Sequence, residues 1–504
     1  MAGQDRIRSP RLRRKIMAAE DAAALIPAGA NVGMSGFTGA GHPKAIPAAL
    51  AKRIETANAA GRGFRVGVWT GAATAPDLDG TLAKVKGIDL LLPYQDDSVT
   101  RQRINAGQMD YVDLHLSHVA QMVQEGFFGR LDFAVIEAAG VTADGNLIPS
   151  TSVGNNKTWI EQADQIIVEV NAHQSDDLDG FHDIYYGMSM PPHRQPIPIT
   201  APGDRIGVPH LICPADRVVA VVETDAPDYY TPFTQPDAVS ETIAGHVIDF
   251  FSNEVAHGRL PRDLLPLQSG VGNVANAVLH GLDSGPFERL TAYTEVIQDG
   301  MLEMLESGKL LVVSGTAFTL CKEVGDRFYS QLPRYRQKIV LRPQAVTNHP
   351  EVIRRLGVLS MNAMLEADIY GNVNSSHVMG TMMQNGIGGS GDFTRNAYIS
   401  MFVSPSQAKG GAISCIVPMA SHVDHTEHDV HVIVTEEGVA DLRGLAPRRR
   451  ARKIIDNCAH PDFRPALDDY FDRAFAGSRG KHTPHLLAEA LSWHDRFEQE
   501  GTMH

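Results

Sequence analysis

Short hydrophobic runs recur along the chain and alternate with longer segments of helical periodicity. Examples of the runs are FRVGVWTG, LDFAVIEAAGV, ADQIIVEVN, RVVAVVETD, KLLVVSGTAF and VHVIVTEEG. Runs of this length that are rich in β-branched residues predict strands, and their alternation with helices predicts α/β layers with largely parallel sheets. Segment 176–210 interrupts the pattern, because its prolines fit neither central strands nor helix interiors, and is expected to be an irregular surface excursion.

The two halves of the chain resemble each other in the order of their motifs. SGFTGAGHPKAIPAAL from Ser35 corresponds to SGVGNVANAVLHGL from Ser269, and a Gly-Asn turn at Gly145 corresponds to one at Gly371. A late strand, VVAVVETD or HVIVTEEG, follows in each half. The order predicts an internal duplication with two similar open α/β domains, at 1–225 and 226–504. Chance similarity between glycine-rich turns is the alternative.

Charge and cysteine content narrow the class of protein. The 504 residues include 45 Lys and Arg against 59 Asp and Glu, a formal net charge of −14. This balance argues against a general binder of nucleic acid or anionic membranes. The four cysteines are far apart and form no CxxC motif, which is typical of a reduced, cytoplasmic protein without a disulfide framework. The arginine-rich N-terminus leaves a mitochondrial presequence as the alternative location.

The strongest local signal is a glycine turn that opens a helix. Ser269, Gly270, Val271 and Gly272 lack bulk, and helical spacing begins at Asn273. Such a turn presents unpaired backbone N–H groups and the positive end of a helix dipole, which suit a phosphate or an oxyanion. The turn is therefore a candidate anion-binding site.

A dinucleotide-binding site is a second interpretation of the same turn. Gly270, Gly272 and Ala275 satisfy the pattern G-x-G-x-x-A, and Glu295 lies about where an NAD enzyme keeps its ribose-binding acid. Against this interpretation, Pro261 and Pro266 stand where a buried first strand would be needed.

A second glycine cluster, NGIGGSGDF, spans residues 385–393. Glycines permit positive φ angles and close approach of the backbone to a bound group. Two glycine loops in one chain indicate a ligand-binding site more specifically than either loop does alone.

Glu295 is the one carboxylate inside LTAYTEVIQ, a run whose β-branched and aromatic residues predict a strand, with a turn at Asp299-Gly300. Burying a carboxylate without partners costs several kcal/mol, so a strand-borne glutamate is expected to have a function.

Three further motifs are ambiguous. His422, His425, His428 and His431 stand three apart beside an aspartate, but catalytic zinc helices usually place ligands four apart, so a polar turn without metal is expected. In VTEEGVADLRG either acid of the pair could face a cleft, or both could belong to a solvated turn. The lysine of SQAKGG is an exposed loop residue or a phosphate partner.

Several of these motifs together resemble a known family. LPLQSGVGNVANAV, YTEVIQDGM, EADIYGNVNSS, NGIGGSGDF, SQAKGG, VDHTEHD, TEEGVADLRGL and KHTPHLLAEALSWH look like the acetyl-CoA hydrolase/transferase family, a branch of the class I CoA-transferases. The likeness extends over nearly the whole chain and is strongest to the bacterial succinyl-CoA:acetate CoA-transferases. It implies two similar α/β domains with the active site between them, and a homodimer.

The resemblance also implies a chemical mechanism and roles for individual residues. Glu295 would attack an acyl-CoA thioester, giving an acyl-glutamyl anhydride and then a glutamyl-CoA thioester. The backbone amides of Val271 and Gly389 would bind the oxyanion, Asn348 would contact the small carboxylate, and Glu436 would orient both the nucleophile and the incoming acid. The residues implied to hold CoA are Gly270, Val271, Gly272, Asn273, Val274, Gly388, Gly389 and Lys409.

The expected function is exchange of CoA between succinyl-CoA and acetate. The partners would be acyl-CoA and small carboxylates, with CoA as substrate and transient adduct and with no tightly bound cofactor or metal. An acyl-CoA hydrolase using Glu295, an NAD-linked oxidoreductase and a non-catalytic CoA-binding regulator are the alternatives.

Overall fold

The computed structural model describes residues 6–72, 76–232, 235–477 and 481–504. The chain forms two compact units, each assembled from three segments. Unit 1 comprises Met1–Phe233, Ala292–Leu305 and Leu311–Leu356, and unit 2 comprises Thr234–Thr291, Glu306–Leu310 and Gly357–His504. The predicted domain boundary at 225 lies near the end of the first segment of unit 1 and stays a prediction.

The sheet of unit 1 has seven parallel strands. Their order across the sheet is Asp110–Tyr111, Ile88–Leu92, Val66–Trp69, Asn31–Met34, Phe133–Ala138, Gln165–Asn171 and Val218–Thr224. Every residue of Val66–Trp69 and of Phe133–Ala138 is buried, as expected for parallel strands covered on both faces. The alternating α/β prediction with parallel sheets is confirmed for this unit.

Smaller strands and the helices complete unit 1. The antiparallel pair is Gly140–Val141 with Leu147–Ile148, and two parallel pairs are Val296–Gln298 with Ala317–Thr319 and Leu310–Gly315 with Ile339–Leu341. The helices are Pro10–Arg13, Ala19–Ala24, Ala45–Ala59, Pro76–Gly80, Thr81–Lys84, Ser98–Asn105, Leu116–Gln124, Asn156–Gln162, Asp176–Leu178, Lys322–Ser330, Leu332–Tyr335, Gln344–Thr347 and Pro350–Leu356. The remainder of 176–210 is irregular, as predicted.

Unit 2 repeats part of the same strand order. Its parallel strands Leu267–Ser269, Leu359–Ala363, Ile399–Val403 and Val432–Thr435 are neighbours in that order, and Gly438–Asp441 adds an antiparallel edge strand. In unit 1 the strand before the glycine-rich turn is likewise followed across the sheet by three later strands. The shared order supports the predicted duplication.

The Gly-Asn turns agree with this correspondence. Gly145 and Gly371 both close short antiparallel hairpins, with φ angles of 90° and 92°. A positive φ favours glycine, because a Cβ atom would be strained there. The same residue at the same place in both units is therefore explained by backbone conformation.

The other elements of unit 2 surround its sheet. The shorter strands are Glu366–Asp368, Val373–Asn374, His377–Val378, Met382–Met383, Gln407–Ala408, Ile413–Ser414 and Ile416–Val417. The helices are Ala238–Ala256, Asn273–Ser284, Ser390–Asn396, Lys409–Gly411, Pro447–Cys458, Arg464–Gly477 and Ser492–Glu500. Strands Leu290–Tyr293 and Leu310–Gly315 and helix Asp299–Ser307 include residues of both units. No helix in the described ranges combines the length and apolar character needed to cross a membrane.

Candidate active site

Glu295 lies in a bend and not within a strand, so this detail of the sequence prediction is wrong. Strand Leu290–Tyr293 ends before it, and Val296–Gln298 begins a separate pairing after it. The backbone on either side is fixed, since the Thr294 amide donates to the Ser314 carbonyl at 2.9 Å and the Glu295 carbonyl accepts from the Thr316 amide at 2.8 Å. The chain changes strand partner at this point, which β propensity cannot reveal.

The predicted turn after this run is also wrong. Asp299 and Gly300 begin helix Asp299–Ser307, which buries Met301, Leu302, Met304 and Leu305. The Asp299 carboxylate accepts a hydrogen bond from the Cys321 amide at 3.0 Å. An Asp-Gly pair usually marks a turn, but here the helical spacing of four apolar side chains and their burial decide the structure.

The Asn348 side chain is a hydrogen-bond partner of the Glu295 carboxylate. Its Nδ2 donates to Oε2 of Glu295 at 2.7 Å, and its Oδ1 accepts from the Thr347 hydroxyl at 2.9 Å. Asn348 and Thr347 are fully buried, whereas Glu295 is partly exposed. Because Thr347 occupies the amide oxygen, the amide nitrogen is directed to the glutamate. The structure thus places in contact two candidate residues, Glu295 and Asn348, that are 53 positions apart in the sequence.

The glycine turn of unit 2 has the predicted form. Buried strand Leu267–Ser269 leads into it, and helix Asn273–Ser284 begins without any side-chain hydrogen bond at its N-cap, Gly272. Gly272 has φ 124° and ψ 178°, a conformation restricted almost entirely to glycine. Val271 is 51% exposed, and the adjoining residues to Asn273 are exposed as well. The proline-based argument against a first strand is wrong, because the strand starts directly after Pro266.

The second glycine loop of unit 2 is linked to the glycine turn through strand Leu359–Ala363. Gly388 has φ 57°, and the buried Gly389 is the N-cap of helix Ser390–Asn396. Asn362, at the end of strand Leu359–Ala363, connects the two glycine segments. It accepts from the Gln268 amide at 3.1 Å and donates to the Thr394 hydroxyl at 3.4 Å. One buried asparagine therefore links the strand that leads into the turn with the helix that follows the loop.

Glu436 and Glu437 form the tip of a two-residue hairpin between Val432–Thr435 and Gly438–Asp441. Both carboxylate oxygens of Glu436 are occupied by Ser406, whose amide donates at 2.8 Å and whose hydroxyl donates at 2.6 Å. The Glu437 carboxylate instead approaches Arg464, at 3.9 Å. The two acids thus have different partners, and Glu436 is the one with a fixed orientation.

Lys409 is exposed, with a positive φ of 49°, and its ammonium lies over the Phe497 ring at 5.1 Å from the centroid. This cation–π contact holds the side chain near one surface without consuming its hydrogen-bond donors. The position remains open to an anionic group of a ligand.

The four histidines of the predicted cluster have separate environments. His422 stacks on His377, His425 approaches two serines, His428 contacts Thr426, and His431 accepts from the Ser400 amide. Among the described residues, no three or more His, Cys, Asp or Glu side chains form a group that could hold a metal ion.

The cysteines are unsuited to act as nucleophiles. All four are buried and unpaired by disulfides. Burial raises the pKa of the Cys213, Cys415 and Cys458 thiols to about 12 and that of Cys321 to about 11. A thiol must ionise to attack a carbonyl, so these groups are unreactive near neutral pH. A carboxylate is the better nucleophile candidate in this chain.

Comparison with known proteins identifies the family. The sequence profile of the acetyl-CoA hydrolase/transferase N-terminal domain matches residues 3–223, and that of the C-terminal domain matches residues 325–471. A succinyl-CoA:acetate CoA-transferase of Clostridium kluyveri is 50% identical over 500 residues, which cover 99% of this chain and 92% of the relative. The chain belongs to the acetyl-CoA hydrolase/transferase family. It is an enzyme family, as predicted.

Two further comparisons extend this result. An acetyl-CoA hydrolase of Schizosaccharomyces pombe is 43% identical, covering 99% of this chain and 98% of the relative. The solved structure of a 4-hydroxybutyrate CoA-transferase from Porphyromonas gingivalis matches with a TM-score of 0.63 at 22% identity, covering 92% of this chain and 98% of that one. The structural match concerns the fold, and the predicted class I CoA-transferase fold is confirmed.

Sequence reasoning missed the residues that hold the candidate groups. Thr347 fixes the Asn348 amide, Ser406 fixes Glu436, and Thr316 fixes the Glu295 backbone. Two of these have a weak signal in the sequence, since Thr347 is adjacent to Asn348 and Ser406 begins the SQAKGG motif. Nothing local marks Thr316, whose contact depends on strand pairing.

Proposed function

We propose that this protein is a CoA-transferase that exchanges CoA between short-chain carboxylates, with succinyl-CoA and acetate as the substrate pair. The hydrogen bond of 2.7 Å between Asn348 and Glu295 is the observation that carries the proposal. It fixes the direction of one glutamate oxygen through a neutral amide, and a carboxylate oriented in this way is suited to attack a carbonyl. The identity of 50% to a succinyl-CoA:acetate CoA-transferase supports the choice of substrates.

The first half of the reaction transfers CoA to the enzyme. A Glu295 oxygen attacks the thioester carbonyl of succinyl-CoA, the C–S bond breaks, and CoA thiolate leaves a succinyl-glutamyl anhydride. The thiolate then attacks the glutamyl carbonyl of the anhydride, which releases succinate and leaves CoA as a thioester on Glu295. Covalent catalysis of this kind divides one difficult exchange into easier steps.

The second half transfers CoA to the other acid. An acetate oxygen attacks the glutamyl thioester carbonyl and expels CoA thiolate, which forms an acetyl-glutamyl anhydride. The thiolate attacks the acetyl carbonyl, so that acetyl-CoA leaves and the Glu295 carboxylate is restored. Each donor thioester consumed therefore produces one acceptor thioester, with no net proton change.

The other site residues stabilise charge and bind substrate in this proposal. The Val271 and Gly389 amides donate to the oxyanion of each tetrahedral intermediate, a contribution of about 3 kcal/mol per donor in measured enzymes. The exposed glycine turn and Lys409 suit the phosphates of CoA, and the Asn348 amide suits the small carboxylate. Glu436 orients the incoming acid. The homodimer, the cytoplasmic location and the absence of a bound cofactor stay predictions.

A hydrolase is the second candidate, because the relative from Schizosaccharomyces pombe is named an acetyl-CoA hydrolase. Water would then resolve the covalent intermediate on Glu295 in place of an acid. The two functions share every residue above and differ in whether water reaches the thioester.

The proposal is tested by incubating the enzyme with succinyl-CoA, without acceptor acid, and trapping with borohydride or hydroxylamine before peptide mass spectrometry. A modification at Glu295 is expected in the wild type and in the Glu288→Gln control, which alters an exposed glutamate seven positions earlier. It is expected to be lost in Glu295→Ala. An unmodified peptide 290–300 in the wild type would contradict the covalent mechanism.

Acetate then separates the two candidates. A transferase produces acetyl-CoA in step with the loss of succinyl-CoA, whereas a hydrolase accumulates free CoA at the same rate with or without acetate.

A further inference from the structure

The motif VDHTEHD has no role in the reaction steps above, yet its central pair is anchored to the core of unit 2. The Asp424 and His425 amides donate to the Val373 carbonyl at 3.0 and 3.1 Å, and the Val373 amide donates to the His425 carbonyl at 2.8 Å. Val373 is fully buried in the hydrophobic core of this unit. The backbone of the pair is therefore tied to a rigid hairpin strand.

The His425 ring contacts the downstream end of the glycine loop. Its Nε2 lies 3.2 Å from the Ser390 hydroxyl and 3.3 Å from the Ser375 hydroxyl. The Ser390 hydroxyl donates its single proton to the Ile387 carbonyl at 2.7 Å. Nε2 must therefore carry a proton and donate to Ser390, which fixes the tautomer. The side chain is only 3% exposed and packs on Phe402.

The Asp424 carboxylate holds the upstream end of the same loop. It accepts from the Ser375 amide at 2.7 Å and from the Ser376 hydroxyl at 2.7 and 2.8 Å. The Ser376 carbonyl in turn accepts from the amides of Gln384 and Asn385, at 2.8 and 3.4 Å. A short chain of hydrogen bonds thus connects Asp424 to the residues that enter the glycine loop.

The loop between these two anchors contains Gly386, Gly388 and Gly389, and glycine loses more conformational entropy on ordering than any other residue. A hydrogen-bond donor for an oxyanion is effective only when its direction is fixed before the reaction. Loop 385–389 therefore needs external restraint if one of its amides is to serve as such a donor.

We propose that Asp424 and His425 are positioning residues that hold loop 385–389 at both ends and so orient the Gly389 amide toward the oxyanion. This role rests on the proposed function, in which Gly389 is an oxyanion donor. Neither residue touches the reacting atoms in this scheme. His425 acts through Ser390, and Asp424 acts through Ser376.

The central test is His425→Phe, which retains a ring to pack on Phe402 but removes the N–H donor. Misplacement of a catalytic group by about 1 Å costs on the order of 100-fold in rate, so we expect kcat for succinyl-CoA and acetate exchange to fall about 10- to 100-fold. The KM for succinyl-CoA is expected to change much less than kcat, because the contact between the Gly389 amide and the oxyanion is made only in the transition state.

Four further variants show whether the loss comes from the hydrogen bond between His425 and Ser390. His425→Gln restores an amide donor and is expected to recover part of the lost kcat. Ser390→Ala is expected to lower kcat by a similar factor. The double variant His425→Phe with Ser390→Ala is expected to lower kcat no further than the stronger single variant, because both substitutions remove the same hydrogen bond. His428→Phe changes an exposed histidine of the same motif and is expected to behave as the wild type.

A His425→Phe enzyme that matches His428→Phe in kcat would overturn the proposal. If His425→Phe fails to fold, as judged by circular dichroism and thermal unfolding, Ser390→Ala decides alone: a reduced kcat with unchanged KM supports the role, and wild-type kinetics refutes it. A wild-type enzyme without exchange activity would refute the proposed function and this role together. An active wild type with unaffected variants would refute this role only.

Discussion

A strand followed by a glycine-rich turn and a helix occurs in both units, but the start of the helix has different surroundings in each. In unit 1 the first amides of helix Ala45–Ala59 are covered by a carboxylate of the protein. Glu169 accepts from the Lys44 amide at 2.6 Å, the Ala45 amide at 3.0 Å and the Ile46 amide at 3.1 Å. In unit 2 the N-cap of the corresponding helix, Asn273–Ser284, is Gly272, which has no side chain to act as a cap, and the first residue of the helix is exposed.

A buried ionic cluster stabilises the turn and the helix start of unit 1 that Glu169 covers. The Lys44 ammonium pairs with Glu137 and, at 2.7 Å, with Asp228, and all three side chains are at most 10% exposed. Burial raises the pKa of Asp228, but the adjacent ammonium outweighs burial and lowers the pKa to about 2. Burial dominates for the Glu137 carboxyl, whose pKa is raised.

The difference shows how the same local element can have two roles in one chain. A helix N-terminus attracts an anion in either case, because its amides and its dipole are the same. In unit 1 the chain supplies that anion, so the element is structural. In unit 2 the chain supplies none from a side chain at the N-cap, and the element is suited to a ligand.

The largest expected effect on this comparison comes from Lys44→Met, which leaves Glu137 and Asp228 buried without their cation. Removing one partner of a buried ion pair costs about 3–5 kcal/mol, and we expect a loss of that size in the free energy of unfolding measured by urea denaturation. Lys52→Met, at an exposed position of the same helix, is the matched control. Equal stability of the two variants would show that the ionic cluster does not stabilise this part of unit 1.

The second-largest expected effect concerns the glycine turn of unit 2. Gly272→Ala forces a Cβ atom onto a backbone with φ 124°, although the surrounding space is empty. The turn is expected to shift, and exchange activity measured as kcat/KM to fall by about 100-fold. Gly29→Ala, at an exposed glycine of unit 1 with φ 82° and equally open space, is expected to strain the chain without loss of activity. A similar loss of activity in both variants would contradict the specific role of the turn.

The acid sensitivity of unit 1 provides a third, smaller test. Because the pKa of Asp228 is lowered on folding to about 2, its stabilising effect is present above pH 4 or so and is lost as the pH falls toward 2. Between pH 5 and pH 2 the wild type is expected to lose about 2 kcal/mol more stability than Asp228→Asn. Urea denaturation at each pH measures the difference, and parallel curves would argue against the paired carboxylate.

The smallest expected effect is that of Glu169→Gln, which removes the charge but keeps one acceptor at the helix N-terminus of unit 1. A charged cap contributes about 1–2 kcal/mol, and a stability loss of that order is expected by the same denaturation measurement. Glu223→Gln, an exposed acid at the end of strand Val218–Thr224, serves as control. An unchanged stability would mean that the helix amides are satisfied without a charge.

The sequence by itself determined the class of fold, and it was enough to predict the duplication and to select the candidate site residues. Parallel strands buried on both faces need apolar runs, and positive φ angles favour glycines such as Gly145 and Gly371. Both features can therefore be recognised from short stretches of sequence. Glu295 was identifiable because a carboxylate is out of place among β-branched residues, and Asn348 because a motif resemblance spans both positions.

Only the tertiary structure decided which partners these groups have and where the chain passes from one strand pairing to the next. The bend at Glu295 depends on Ser314 and Thr316, and the restraint of loop 385–389 depends on His425, 35 residues beyond Ser390. The two helix termini look alike in sequence, because the carboxylate that covers the first belongs to Glu169, more than a hundred residues away. Hydrogen bonds between residues distant along the chain form only after the sheets have paired, and no local pattern encodes them.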